Sequence, residues 1–192
     1  MRADTIARRD DAVLVIVDEQ ERLTAAMDRR EAVGAATVRL VRTAVLVGVP
    51  IIVTRQYPKG LGDMEPALLD ALAAAESANV RVSHVDKMAF DCFREPQFAS
   101  ALTVTARKQL IVAGMETHIC IAQTVLSAIR LGFDVHVAAD ACCSRDDAHH
   151  VLALQRMRKA SAVITASESV MYEFVGAAGT DEFKALLGIV KD

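Results

Sequence analysis

Ala12-Val13-Leu14-Val15-Ile16-Val17-Asp18-Glu19-Gln20 decides how the rest of the chain is read. Six apolar residues run without a break and then give way at once to two acids and an amide. A bounded apolar run of this kind suits a strand buried on both faces of a parallel sheet, which delivers a polar residue, Asp18, from its carboxyl end. Downstream, residues 31–47 carry Val33, Thr37, Leu40, Val41, Ala44 and Val47 at spacings of three and four, the signature of an amphipathic helix. Gly48 closes that helix, and Pro50 opens a second apolar strand at Ile51, Ile52 and Val53. The polar stretch 54–62, with Pro58 and two glycines, reads as a loop.

The alternation then repeats. Helix is expected at about 64–75, strand at 80–86, helix at 96–104, strand at 109–113, helix at 119–131 and strand at 135–138. A helix over 146–159, with Val151, Leu154 and Met157 spaced by three, a last strand at 162–165 and helical pieces complete the chain. Six strand–helix units predict a three-layer α/β/α fold around a six-stranded, mainly parallel sheet with right-handed crossovers. At 192 residues, with no low-complexity tract or long linker, one domain over 1–192 is expected.

Composition narrows the function. Apolar residues make up 53% and charged residues 24%, which fits a buried sheet and not a disordered chain. The net charge of -3 is mixed along the sequence without a polybasic block, so neither nucleic acid nor an anionic membrane is an expected partner. No apolar run approaches the roughly 18 residues of a membrane span, and the start, with Arg8, Arg9, Asp10 and Asp11, does not read as a signal peptide. The expected location is the cytoplasm. Cysteines at 92, 120, 142 and 143 lack metal-site spacing, and free thiols are expected.

Open parallel sheets bind ligands beyond the carboxyl ends of their strands, where the strand order reverses. Asp18 follows the first strand, Lys87 the third, and Cys120 the fourth by way of Gly114-Met115-Glu116-Thr117-His118-Ile119. That turn is expected to feed a helix capped by Thr117, leaving Cys120 in the first turn, where free N–H groups and the helix dipole favour a thiolate and cradle an oxyanion. The competing reading of Cys120 is a small buried hydrophobe. Asp18 would accept the thiol proton and Lys87 would hold the thiolate, against a loop carboxylate and an exposed charge as the plainer readings. Gln20 either donates to a substrate carbonyl, fixes Asp18, or faces outward. Tyr57 and Phe90 are expected to line an apolar substrate wall unless they pack in the core.

No metal or cofactor is expected. His84 sits inside a strand, and the adjacent His149 and His150 on a helix do not face one ion easily, while His118 belongs to no ligand-spacing motif. Gly60 and Gly62 are too few, and too far past the second strand, for a phosphate-binding fingerprint.

Val15-Ile16-Val17-Asp18-Glu19-Gln20, Gly114-Met115-Glu116-Thr117-His118-Ile119-Cys120 and Ala139-Asp140-Ala141 together resemble the isochorismatase-like cysteine hydrolases. Thr54 to Gly62, Lys87 to Cys92, Ser144-Arg145 and Arg156-Met157-Arg158 look most like the branch of isochorismatase-domain-containing proteins. The resemblance implies Asp18, Lys87 and Cys120 as the catalytic set, and a cis peptide between Met115 and Glu116 with the backbone amides of Glu116 and Cys120 facing the oxyanion. It further implies a homo-oligomer acting on a small molecule. Nicotinamidases of this fold carry an Asp and His metal cluster after the second strand, where Arg55, Gln56 and Tyr57 stand here. Hydrolysis of a small amide or related acyl compound through a thioester is therefore expected. Vinyl-ether hydrolysis of the isochorismatase type, a catalytically silent scaffold, and a thiol-redox protein are the alternatives; the last lacks a C-x-x-C pair.

Overall fold

The uncharged run Ala12–Val17 forms β1, and every one of its residues is buried in the computed structural model, which describes residues 5–191. β1 sits inside a six-stranded sheet of order β3-β2-β1-β4-β5-β6. In chain order the elements are β1, α1 (Glu21–Thr24), α2 (Arg30–Val47), β2 (Ile51–Gln56), α3 (Pro58–Leu61), α4 (Pro66–Ser77), β3 (Val82–Lys87), α5 (Pro96–Thr105), β4 (Gln109–Met115), α6 (Ala122–Arg130), β5 (Asp134–Cys143), α7 (Asp147–Lys159), β6 (Val163–Thr165), α8 (Ser167–Val175) and α9 (Asp181–Lys191). Every adjacent pair of strands is parallel.

Strand periodicity divides the core in two. Ala12, Leu14 and Ile16 pack with Leu40, Val41, Leu68, Leu72, Val170 and Leu186, placing α2, α4, α8 and α9 on one face. Val13, Val15 and Val17 pack with Phe98, Leu102, Ile121, Val125 and Met157, placing α5, α6 and α7 on the other. This is the three-layer α/β/α fold. The chain builds outward from β1 through β2 to β3, then returns to the other side of β1 for β4, β5 and β6. The order therefore reverses between β1 and β4, and the crevice opens beyond their carboxyl ends.

Gly48 ends α2 in the left-handed conformation, φ 72°, as the sequence predicts. Two strands are longer than their apolar content suggests. β2 continues through Thr54, Arg55 and Gln56, and β5 runs to Cys143. The pairing of β4 with β5 is irregular there, passing from Val112 opposite Val137 to Gly114 opposite Cys142. In the resulting excursion, Asp140 accepts 2.6 and 2.5 Å hydrogen bonds from the backbone N–H and hydroxyl of Ser167, fixing the start of α8. Among the described residues no helix is long and apolar enough to cross a membrane.

At Gly114 the backbone of β4 lies close against Val17 of β1. The glycine's φ is 116°, and a Cβ added there would lie 2.0 Å from the carbonyl oxygen of Val17. Only glycine accommodates both demands. Gly114→Ala is therefore expected to destabilise the protein by at least about 3 kcal/mol in urea unfolding, and a loss under about 1 kcal/mol would contradict this account.

Candidate active site

Asp18 leaves β1 with φ 53°, a left-handed conformation that Asp tolerates better than most residues. That turn directs its carboxylate over β2 and β3. Oδ1 accepts from the Thr54 hydroxyl at 2.7 Å, and Oδ2 lies 2.6 Å from Nζ of Lys87, both side chains of the ion pair being fully buried. The Lys87 ammonium also donates to Oε1 of Gln56 at 2.7 Å and to the carbonyls of Ala89 and Phe90 at 3.3 and 3.5 Å. A buried ammonium without such partners would be several kcal/mol too costly to keep charged. Burial pushes Lys87 down, but the Asp18 carboxylate and the nearby Cys120 and Cys92 sulfurs outweigh it and the net shift is upward. Lys87 stays an ammonium.

The loop carrying those carbonyls is itself pinned. Glu95 accepts from the N–H groups of Met88 and Ala89 at 3.0 Å, Asp91 accepts from the Ser127 hydroxyl at 2.6 Å, and Thr124 accepts from the Cys92 N–H at 3.1 Å. β3 is thus tied to α6, whose first residue, Ala122, follows the turn that holds Cys120.

That turn is one turn of π-helix, Thr117–Ile121, after a cis peptide between Met115 and Glu116. The cap is Glu116 and not Thr117. Glu116 is the last extended residue, and its carbonyl accepts from Ile119 and Ile121 at 3.0 and 3.3 Å. The Thr117 hydroxyl instead lies 2.9 Å from Nδ1 of His150. Glu116 has a side-chain partner that the sequence does not suggest: Oε2 accepts from both the backbone N–H and Nε of Arg145 at 3.0 Å. Met115 is completely buried below the turn.

Cys120 is buried beside the ion pair, and its thiol is not lowered as its first-turn position predicts. Burial pushes it up, the Asp18 charge pushes it further, and the opposing pull of Lys87 is too small to reverse them. Burial beside that carboxylate favours the thiol over the thiolate. Cys92 shares the neighbourhood, with its thiol raised to about 12 by burial.

The three expected substrate contacts separate. Gln20 points inward. It donates to the carbonyls of Gln56 and Gly62 at 3.1 and 2.8 Å and accepts from the Gln56 N–H at 2.7 Å. Both its N–H bonds are used, leaving none for a substrate carbonyl, and its role is to tie β1 to the end of β2. Tyr57 and Phe90 are not core residues: they are 47% and 53% exposed, while their backbones clasp Lys87 on either side.

Gln56 and Thr54 are the residues that sequence reasoning missed. The signal was strand periodicity, because Ile52, Thr54 and Gln56 share one face if β2 is continued, and Gln56 then stands opposite Lys87. His149 and His150, adjacent on α7, turn to different partners. His150 turns to Thr117, His149 stacks on His118 with centroids 5.0 Å apart, and His84 meets Glu76 at the surface.

The family profile "Isochorismatase domain" matches residues 12–169. The chain belongs to the isochorismatase domain family. A secreted isochorismatase effector, Isc1, of Phytophthora sojae is 33% identical over 94% of this chain and 85% of its own. Isochorismatase domain-containing protein 2 of Bos taurus is 33% identical over 94% of this chain and 83% of its own. YcaC from Pseudomonas aeruginosa, solved with hexane-2,5-diol and covalent acrylamide, superposes with a TM-score of 0.87 at 25% identity, covering 98% of this chain and 93% of its own.

A second buried acid, Glu19, follows Asp18 but faces the opposite layer. Burial lifts its carboxyl to about 7, against an opposing hydrogen bond from Thr37 and with help from the Glu65 charge. Its native state therefore holds a proton that the unfolded chain releases, and stability declines as pH rises from the ordinary carboxyl range through about 7. Glu19→Gln removes that loss. The stability advantage of the variant should grow by about 2 kcal/mol between about pH 5.5 and about pH 8 in urea unfolding, and an advantage independent of pH would contradict the assignment.

Proposed function

We propose that the protein is a cysteine-dependent hydrolase of a small amide or related acyl compound, acting through a thioester on Cys120 and releasing a carboxylic acid and ammonia or an amine. The observation that carries this reading is the buried Cys120 set in the turn after β4, beside a buried carboxylate that is itself held by an ammonium.

The chemistry conserves charge in the buried site. Asp18 takes the proton from Cys120 as sulfur bonds to the acyl carbon. The negative charge leaves Asp18 and reappears on the tetrahedral oxygen, so the Lys87 ammonium has a counter-charge throughout. Backbone amides of the Glu116 and Cys120 turn stabilise that oxygen. The C–N bond then breaks, and the neutral Asp18 carboxyl returns its proton to the leaving nitrogen. Water, deprotonated by Asp18, attacks the thioester, and the thiol leaves with that proton. Tyr57 and Phe90 form the apolar rim over which the substrate enters.

The name of the Phytophthora sojae relative favours a second reading, hydrolysis of a vinyl ether. That reaction needs an acid to protonate carbon but no sulfur nucleophile, so Cys120 separates the two.

With a substrate found by screening small amides, Cys120→Ala should lower kcat by at least about a thousandfold while the fold persists. Added hydroxylamine should divert wild-type product to the hydroxamate and do nothing in Cys120→Ala. Turnover that survives in Cys120→Ala would exclude the thioester and favour acid-only chemistry. Asp18→Asn should lower kcat by at least about a hundredfold, and unchanged kinetics would remove Asp18 as the proton carrier.

A further inference from the structure

Beside the Cys120 turn, α7 lies against α6 and leaves a pocket of about 170 Å³ lined by His118, Ala122, His149, Leu152, Ala153 and Arg156. No carboxylate contributes to its wall. Asp146 lies within charge range of both rings, and its Oδ1 is engaged by the Ala148 and His149 N–H groups at 2.8 and 3.4 Å.

Three of the six lining residues, His118, His149 and Arg156, carry nitrogen groups, and the other three are apolar. The Ser144 hydroxyl accepts from the His118 backbone N–H at 3.4 Å and stands 2.9 Å from Nδ1 of the same ring. The Ser144 hydroxyl thus holds the His118 ring in place beside the pocket. His149 stacks on that ring at 5.0 Å, and its ring nitrogens have no hydrogen-bond partner among the described residues. Arg156, from the same helix, has no acidic partner among the described residues, so its planar fork of donors is free to meet oxygens. A cation is disfavoured here, since Arg156 repels it and two imidazoles fall short of a ligand set.

We propose that this pocket binds a tetrahedral phosphate oxyanion, either the free ion or the head of a phosphomonoester, with Arg156 on two oxygens and the His118 and His149 rings on the others. A compact tetrahedral oxyanion suits both the volume and the donor set, and the exposed Leu152 at the edge would meet the apolar part of an ester. The site is separate from the Asp18–Lys87 pair and does not depend on the reaction proposed above.

Histidine ring signals followed by NMR during titration with inorganic phosphate, at fixed pH and ionic strength, test the site. Saturable shifts of His118 and His149 are expected, with Kd raised at least about tenfold in Arg156→Gln and in His149→Ala. Both positions are exposed, so neither replacement endangers the fold. Phenyl phosphate in place of the ion separates the two sources: tighter binding assigns the ester, and equal or weaker binding assigns the free ion. Shifts that do not saturate, or an affinity unchanged in either variant, would overturn the proposal.

Discussion

The ion pair between Asp18 and Lys87 is the constraint to which the rest of the site conforms. Two opposite charges 2.6 Å apart, with both side chains fully buried, need polar partners beyond each other. The fold supplies them from three directions. Thr54 serves the carboxylate, Gln56 serves the ammonium, and the Ala89 and Phe90 carbonyls complete the ammonium's shell. Gln20 in turn fixes the backbone of Gln56, and Asp91 and Glu95 fix the loop that supplies the carbonyls. The polar ends of β1, β2 and β3 form one connected network, and removing one member leaves a buried charge or dipole without a partner.

That network also sets the state of Cys120. A helix start alone would favour a thiolate. Here the sulfur is buried against an existing negative charge, and a second one would have a single ammonium to neutralise both. Keeping the thiol protonated avoids this, and in the proposed reaction proton transfer to Asp18 is then part of the attack itself.

Much of the fold was legible because apolar runs and their spacing report burial directly. β1 and β4 are uninterrupted, and the reversal of strand order between them predicts where Asp18 and Cys120 meet. The misreadings share one cause, since each concerns a polar residue whose partner is remote in sequence. β2 read short because Thr54 and Gln56 look like loop residues until Asp18 and Lys87 are known to face them. Gln20 looked available for substrate because its partners at Gln56 and Gly62 lie well down the chain. Thr117 looked like a cap because His150 is remote, and the Arg145 partner of Glu116 lies similarly far along the chain. The depth of Cys120, which decides its ionisation, leaves no mark on local sequence.

The most direct test of this account is the ionisation of Cys120, read by mass-resolved alkylation of its peptide across pH in the wild type and in Asp18→Asn. The account predicts a wild-type midpoint above the free-thiol value of about 8.5, falling when the Asp18 charge is removed. A wild-type midpoint below about 7, or one that rises in Asp18→Asn, would mean that Cys120 rests as a thiolate and that Asp18 is not its proton acceptor.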